Sequence, residues 1–96
     1  MIVLNVSYTC KPGQRDAFLE AIRAEGLDAA SRADAGNLKY DYYLPAAGGD
    51  ELLLLEKWAD AAALTAHLAQ PHLARLAELK QEYVLTTAIA RFELPD

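Results

Sequence analysis

Eight side chains in this sequence carry groups that could handle a small molecule, and most of them fall at linked positions. Glu56 and Trp58 lie two apart, His67 follows Trp58 by nine residues, and His72 follows His67 by five, directly behind Pro71. An imidazole with an ordinary pKa of about 6.5 exchanges protons near neutrality, which makes His67 the candidate general acid or base. Glu56 could orient His67 or Arg91, or form an ion pair between subunits. Trp58 offers a flat apolar face and an indole donor. Asn5 offers an amide that could hold a substrate oxygen as an oxyanion donor would, and Tyr40 and Tyr42 share one strand face from which a hydroxyl could reach a ligand. Each has a plainer alternative in packing or in a hydrogen bond to nearby backbone. The spacing of His67 and His72 across a helix break is not a metal-ligand pattern, and the single cysteine, Cys10, lacks Cys or His companions at ligand spacing, so no metal is expected.

The elements that must position these groups follow from periodicity. Residues 2 to 9 alternate between Ile2, Leu4, Val6, Tyr8 and the smaller or more polar Val3, Asn5, Ser7, Thr9, the period of a strand with two different faces. Pro12 and Gly13 interrupt it. Phe18, Ala21, Ile22 and Ala29 then make one helical stripe over Gln14 to Arg32, which Gly36 terminates. A strand over Leu38 to Leu44, a turn over Pro45 to Asp50, and a strand over Glu51 to Trp58 read as a hairpin. Asp60 is a suitable N-cap for a helix over Ala61 to Ala69, Pro71 starts a second helical stretch to Tyr83, and Val84 to Leu94 is a last strand.

The order β-α-β-β-α-β, with its second helix broken near Gln70 and Pro71, predicts a ferredoxin-like α+β fold over residues 1–96 as one domain: a four-stranded antiparallel sheet with the helices on one face. The other face would be bare. At ordinary strand spacing and rise it measures roughly 400 Å², as large as the apolar patches that monomers tolerate. Because the run Leu52 to Leu55 supplies apolar side chains to both faces, a second copy of the chain is expected to cover it, and two sheets closing on each other would enclose one pocket per subunit.

Composition narrows the partners. Nine Lys and Arg against fourteen Asp and Glu leave a formal charge of −5, without the basic cluster that nucleic acid demands. No apolar run approaches the roughly 20 residues of a membrane span, and the first residues lack a signal-peptide pattern, so a cytoplasmic protein is expected. A chain this short buries only roughly 60 to 65% of its unfolded surface alone, which again favours a homodimer.

The segments Gly36-Asn37-Leu38-Lys39-Tyr40-Asp41, Leu55-Glu56-Lys57-Trp58-Ala59-Asp60, Ala63-Leu64-Thr65-Ala66-His67-Leu68 and Pro71-His72 resemble the antibiotic biosynthesis monooxygenase domain, a family of dimeric α+β barrels. The resemblance implies an oxygenase that needs no metal or flavin and oxidises a quinol or polyketide-like phenol with O2. His67, Asn5 and Trp58 would then surround the reacting ring, with Tyr40, Tyr42, Glu56, His72 and Arg91 contacting substrate. Haem-degrading relatives carry a histidine about ten residues after the position of His67, where this chain has Ala77, so haem is not expected. Two alternatives stay open. One is an isomerase of a small phosphorylated compound, for which Lys39, Lys57 and Arg91 are the nearby cations; the other is a non-catalytic dimer that binds a small hydrophobic ligand.

Overall fold

In strand β1 (Ile2–Cys10) every second side chain, Ile2, Leu4, Val6, Tyr8 and Cys10, is buried, while Asn5 and Thr9 between them are exposed. The computed structural model describes residues 1–95. Helices α1 (Arg15–Ala24) and α2 (Leu27–Arg32) follow β1, then strands β2 (Asn37–Tyr43) and β3 (Glu51–Trp58), helices α3 (Ala61–Leu68) and α4 (Pro71–Tyr83), and strand β4 (Val84–Glu93). The strands form one antiparallel sheet in the order β2-β3-β1-β4, the ferredoxin-like arrangement.

One correction concerns the stretch from Gln14 to Arg32, which is two helices rather than one. Gly26 takes a left-handed φ of 67°, a conformation that costs glycine little, and the chain turns there before α2 begins. The predicted α3 cap holds: the Asp60 carboxylate accepts from the Ala63 backbone N–H at 2.8 Å. Pro71 opens α4 in its first turn.

The helices cover the face of the sheet that carries Leu4, Val6, Tyr8, Leu52 and Leu54. Phe18 and Ile22 of α1, Leu64 of α3, and Leu76 and Leu79 of α4 pack onto it. Tyr8 meets Phe18 edge-on with ring centroids 5.5 Å apart. Wholly buried side chains such as Phe18 and Leu52 each contribute on the order of 1.5–3 kcal/mol through removal from water. The opposite face carries Leu53 and Leu55, half-buried, with the exposed Tyr43 and Phe92. Edge strand β4 is exposed along nearly its whole length. No helix among the described residues is long and apolar enough to cross a membrane.

Candidate functional site

Three segments distant in sequence meet at one carboxylate. After α2 the chain turns through Asp34, Ala35 and Gly36, closed by a hydrogen bond from the Asn37 N–H to the Asp34 carbonyl. Gly36 has φ 80°, and a side-chain carbon added there would lie 2.5 Å from Cβ of Ala63, so only glycine lets this turn seat against α3. The Ala59 N–H, donated to the Gly36 carbonyl at 2.8 Å, ties the turn to the end of β3. Within α3, Leu64 and His67 lie one turn apart and both face inward. The α3–α4 break then places His72 in the first turn of α4, beside them.

The result is a hydrogen-bonded trio. His67 Nδ1 lies 2.7 Å and His72 Nε2 2.9 Å from the same Asp34 oxygen, Oδ2. Burial works to raise the Asp34 pKa, but the bonds from the two imidazoles outweigh it and hold the carboxyl below its usual range. An ionised carboxylate can only accept, so His67 carries its proton on Nδ1 and His72 on Nε2. Burial depresses the His67 pKa against the opposing pull of Asp34, which favours a neutral ring with an unprotonated Nε2. The three ligand-type atoms lie within 4.8 Å of one another, and among the described residues this is the one group that could hold a metal ion.

On its other side, His67 Nε2 faces Glu56 Oε1 at 3.8 Å. Glu56 is buried, and burial raises its pKa while the Trp58 indole N–H, donated to Oε1 at 3.1 Å, pulls it back. The Trp58 ring lies 4.4 Å from the His67 ring, centroid to centroid and tilted by 35°. Tyr40 meets His67 edge-on at 5.6 Å, its hydroxyl pushed up to about 12, chiefly by burial. His67, at 1% exposure, is therefore held by Asp34 and rings on several sides.

Glu56, His67 and Tyr40 open onto a cavity of about 450 Å³ between the sheet and α4, with mostly apolar walls that include Leu4, Val6 and Leu76. This volume falls in the range of small-molecule sites. The cavity lies under the helices of a single chain, on the opposite side of the sheet from the face expected to meet a second copy.

The structure brings together five of the residues singled out by sequence: Glu56, Trp58, His67, His72 and Tyr40. Trp58 is fully buried behind Glu56 and His67 and does not itself line the cavity. Tyr42 packs edge-on against Tyr40 at 6.0 Å, also outside the lining. Arg91 lies exposed on β4, paired with Glu93 at 3.2 Å. Asn5 is on the opposite face of β1 from Leu4, exposed and turned away from His67. Asp34 is the residue that sequence reasoning missed.

Comparison with known proteins gives a consistent picture. A family model described as antibiotic biosynthesis monooxygenase matches residues 1–79. A curated Bacillus subtilis protein named "Putative monooxygenase YcnE" is 38% identical over 72 residues, 75% of this chain and 74% of that protein. The crystal structure of PA3566 from Pseudomonas aeruginosa superimposes with a TM-score of 0.87 at 28% identity, covering 99% of this chain and 94% of that one. A Nitrosomonas europaea structure, titled "Putative antibiotic biosynthesis monooxygenase", has a TM-score of 0.88 at 20% identity over 97% of each chain, a likeness of fold alone.

Proposed function

The chain belongs to the antibiotic biosynthesis monooxygenase family, and from that premise we propose that it is a cofactor-independent monooxygenase acting on a quinol or polyketide-like phenol in the cavity beneath α4. One observation carries this reading: a buried imidazole with Nδ1 2.7 Å from Asp34 and Nε2 3.8 Å from Glu56 lines, together with Glu56, a mostly apolar cavity, and its Nδ1–H bond to the ionised Asp34 leaves Nε2 as the proton acceptor. Such a group can take the proton of an acidic hydroxyl or of an activated C–H, leaving an electron-rich anion in a site with little water. That anion supplies the electrons for O2. A new C–O bond forms, one oxygen atom stays in the product as a quinone carbonyl or hydroxyl, and the other leaves as water. Glu56, raised toward its neutral form, stands 3.8 Å from the proton acceptor and can exchange the proton onward.

The isomerase alternative needs cations at the reacting group. Lys39 and Lys57 gather with Arg32 in a separate depression beside β2, where Asp41 binds both Lys39 and Arg32. Arg91 is paired with Glu93, and the one lysine that lines the cavity, Lys80, stands beside Tyr8 rather than beside His67. A passive binding protein has no need for two groups with shifted pKa facing one cavity.

The assembly proposed with this reading is a homodimer through the open face of the sheet. Leu53, Leu55, Tyr43 and Phe92 offer it an apolar surface.

The deciding experiment is oxygen uptake by purified, chelator-treated protein on quinols, naphthoquinols and anthrones, with autoxidation subtracted at each pH. Protein-dependent uptake that survives chelation and is lost in His67→Gln is the expected result. No uptake on any member of the panel, or uptake that returns only with added metal, would overturn the proposal.

A further inference from the structure

The cavity has polar groups at its two ends and apolar walls between them. One end is Glu56 with His67; the other is Lys80 with Thr87. Sheet register fixes their separation. Glu56 sits across from Leu4, and Thr87 across from Tyr8, so the two ends are four residues apart along β1, or about 13 Å at ordinary strand rise. Leu4 and Val6 line the floor between them, with Leu76 above.

Lys80 is the only cationic side chain among the cavity's lining residues. It extends the α4 stripe of Leu73 and Leu76 by one turn, and its ammonium stands 5.4 Å from the centroid of the Tyr8 ring. Among the described residues no carboxylate lies within 4.0 Å of it; Arg15, Arg32, Lys39, Arg75 and Arg91 each have one, and Lys11, Arg23 and Lys57, which also lack one, do not line the cavity. A half-buried ammonium held over an aromatic face and left without a counter-ion at the end of an apolar cavity is suited to an anionic ligand group.

We infer that the substrate is an elongated hydroxyarene of two or three fused rings that carries a carboxylate at the end remote from the ring being oxidised, with Lys80 binding the carboxylate. The inference rests on the cavity reading above and names the substrate class for that site. One ammonium and one hydroxyl match a carboxylate; a phosphate is usually met by a larger set of donors.

Binding tests this without requiring turnover. The ligands are 2-naphthol, 6-hydroxy-2-naphthoate, whose hydroxyl and carboxylate lie at opposite ends, 1-hydroxy-2-naphthoate, in which they are adjacent, and 2-naphthyl phosphate. Calorimetry on the whole chain should show 6-hydroxy-2-naphthoate binding at least tenfold more tightly than 2-naphthol or the adjacent isomer. Lys80→Met should bring 6-hydroxy-2-naphthoate and 2-naphthol within twofold of each other, with Lys80→Arg retaining most of the preference; circular dichroism confirms that both variants fold. Equal binding of acid and neutral ligands by the parent protein, a preference that survives Lys80→Met, or tighter binding of the phosphate would each overturn the inference. Oxygen uptake on 1,4-dihydroxynaphthalene-6-carboxylate is scored separately, so a protein that binds the acid through Lys80 but consumes no oxygen refutes the oxygenase and leaves the ligand assignment standing.

Discussion

The same four strands make both faces of the sheet, and the two faces differ more than their shared alternation requires. Beneath the helices, large apolar side chains and the ionisable Glu56 lie together, and His67 is lowered onto them from α3. On the face turned away, Leu53 and Leu55 are mixed with Asn5, Ser7, Lys57 and Asp41, and no helix among the described residues covers them. The difference separates two tasks. Proton chemistry needs a place where burial shifts pKa values among apolar walls, and the helix-covered face supplies both. A half-apolar face whose one shifted carboxyl, Asp41, is held down by its bond to Lys39 suits association with another protein surface.

The sharpest way to break this comparison is at His67. His67→Gln keeps a polar side chain of similar reach but removes the proton acceptor, and kcat should fall by about 10² or more. Full activity in a folded variant would mean that the covered face is only a core. Asp34→Asn comes next, at about 10- to 10²-fold in kcat/KM, because the amide no longer enforces the Nδ1–H form of His67. Its pH profile sharpens the point. The depressed His67 pKa keeps the ring neutral as pH falls below the ordinary histidine value of about 6.5, so the plateau of the parent protein should extend past that pH before activity drops. Asp34 opposes that depression, so in Asp34→Asn the acid limb should move to still lower pH while the plateau sinks. A limb that stays in place would show that Asp34 does not act on His67, and one that moves upward would reverse the sign of its effect.

Element order, the hairpin, the Asp60 cap and the break before Pro71 were all legible in the sequence, because each rests on signals within a few residues. What escaped is non-local. Asp34 lies 33 residues from His67 and 38 from His72, in a turn without periodicity. Its one local mark is the neighbouring Gly36, whose close approach to Ala63 is a tertiary fact. Lys80 could have been found, since it continues the helical stripe of Leu73 and Leu76 at i+7 and i+4. Asn5 shows the limit of a period of two: alternation states that it faces away from Leu4, but not which face the helices cover. The break at Gly26 was missed because Ala29 continued the stripe of Phe18 and Ile22 across it.

On the open face the largest expected effect is on assembly. Leu55→Lys puts a charge at the middle of the proposed contact, and the dimer dissociation constant should rise at least tenfold, read by light scattering across a dilution series. Affinity for 6-hydroxy-2-naphthoate should stay unchanged, since Leu55 points away from the cavity. A parent protein that is monomeric at micromolar concentration, or a dimer indifferent to Leu55→Lys, would place the contact elsewhere or remove it.

The smallest predicted effect tests the comparison most directly. Asn5 pairs across the sheet with Leu55 on one side and Ala90 on the other, all on the face away from His67. If the chemistry belongs to the covered face, Asn5→Ala removes only an exposed amide, and kcat/KM should stay within twofold of the parent value. A tenfold loss has two sources that can be separated by measuring mass and turnover together. Loss of activity in step with loss of the dimer would make Asn5 an assembly residue. Loss in an intact dimer would put the reacting ring between two sheets, where an amide can hold its oxygen, and the roles assigned to the two faces would have to be exchanged.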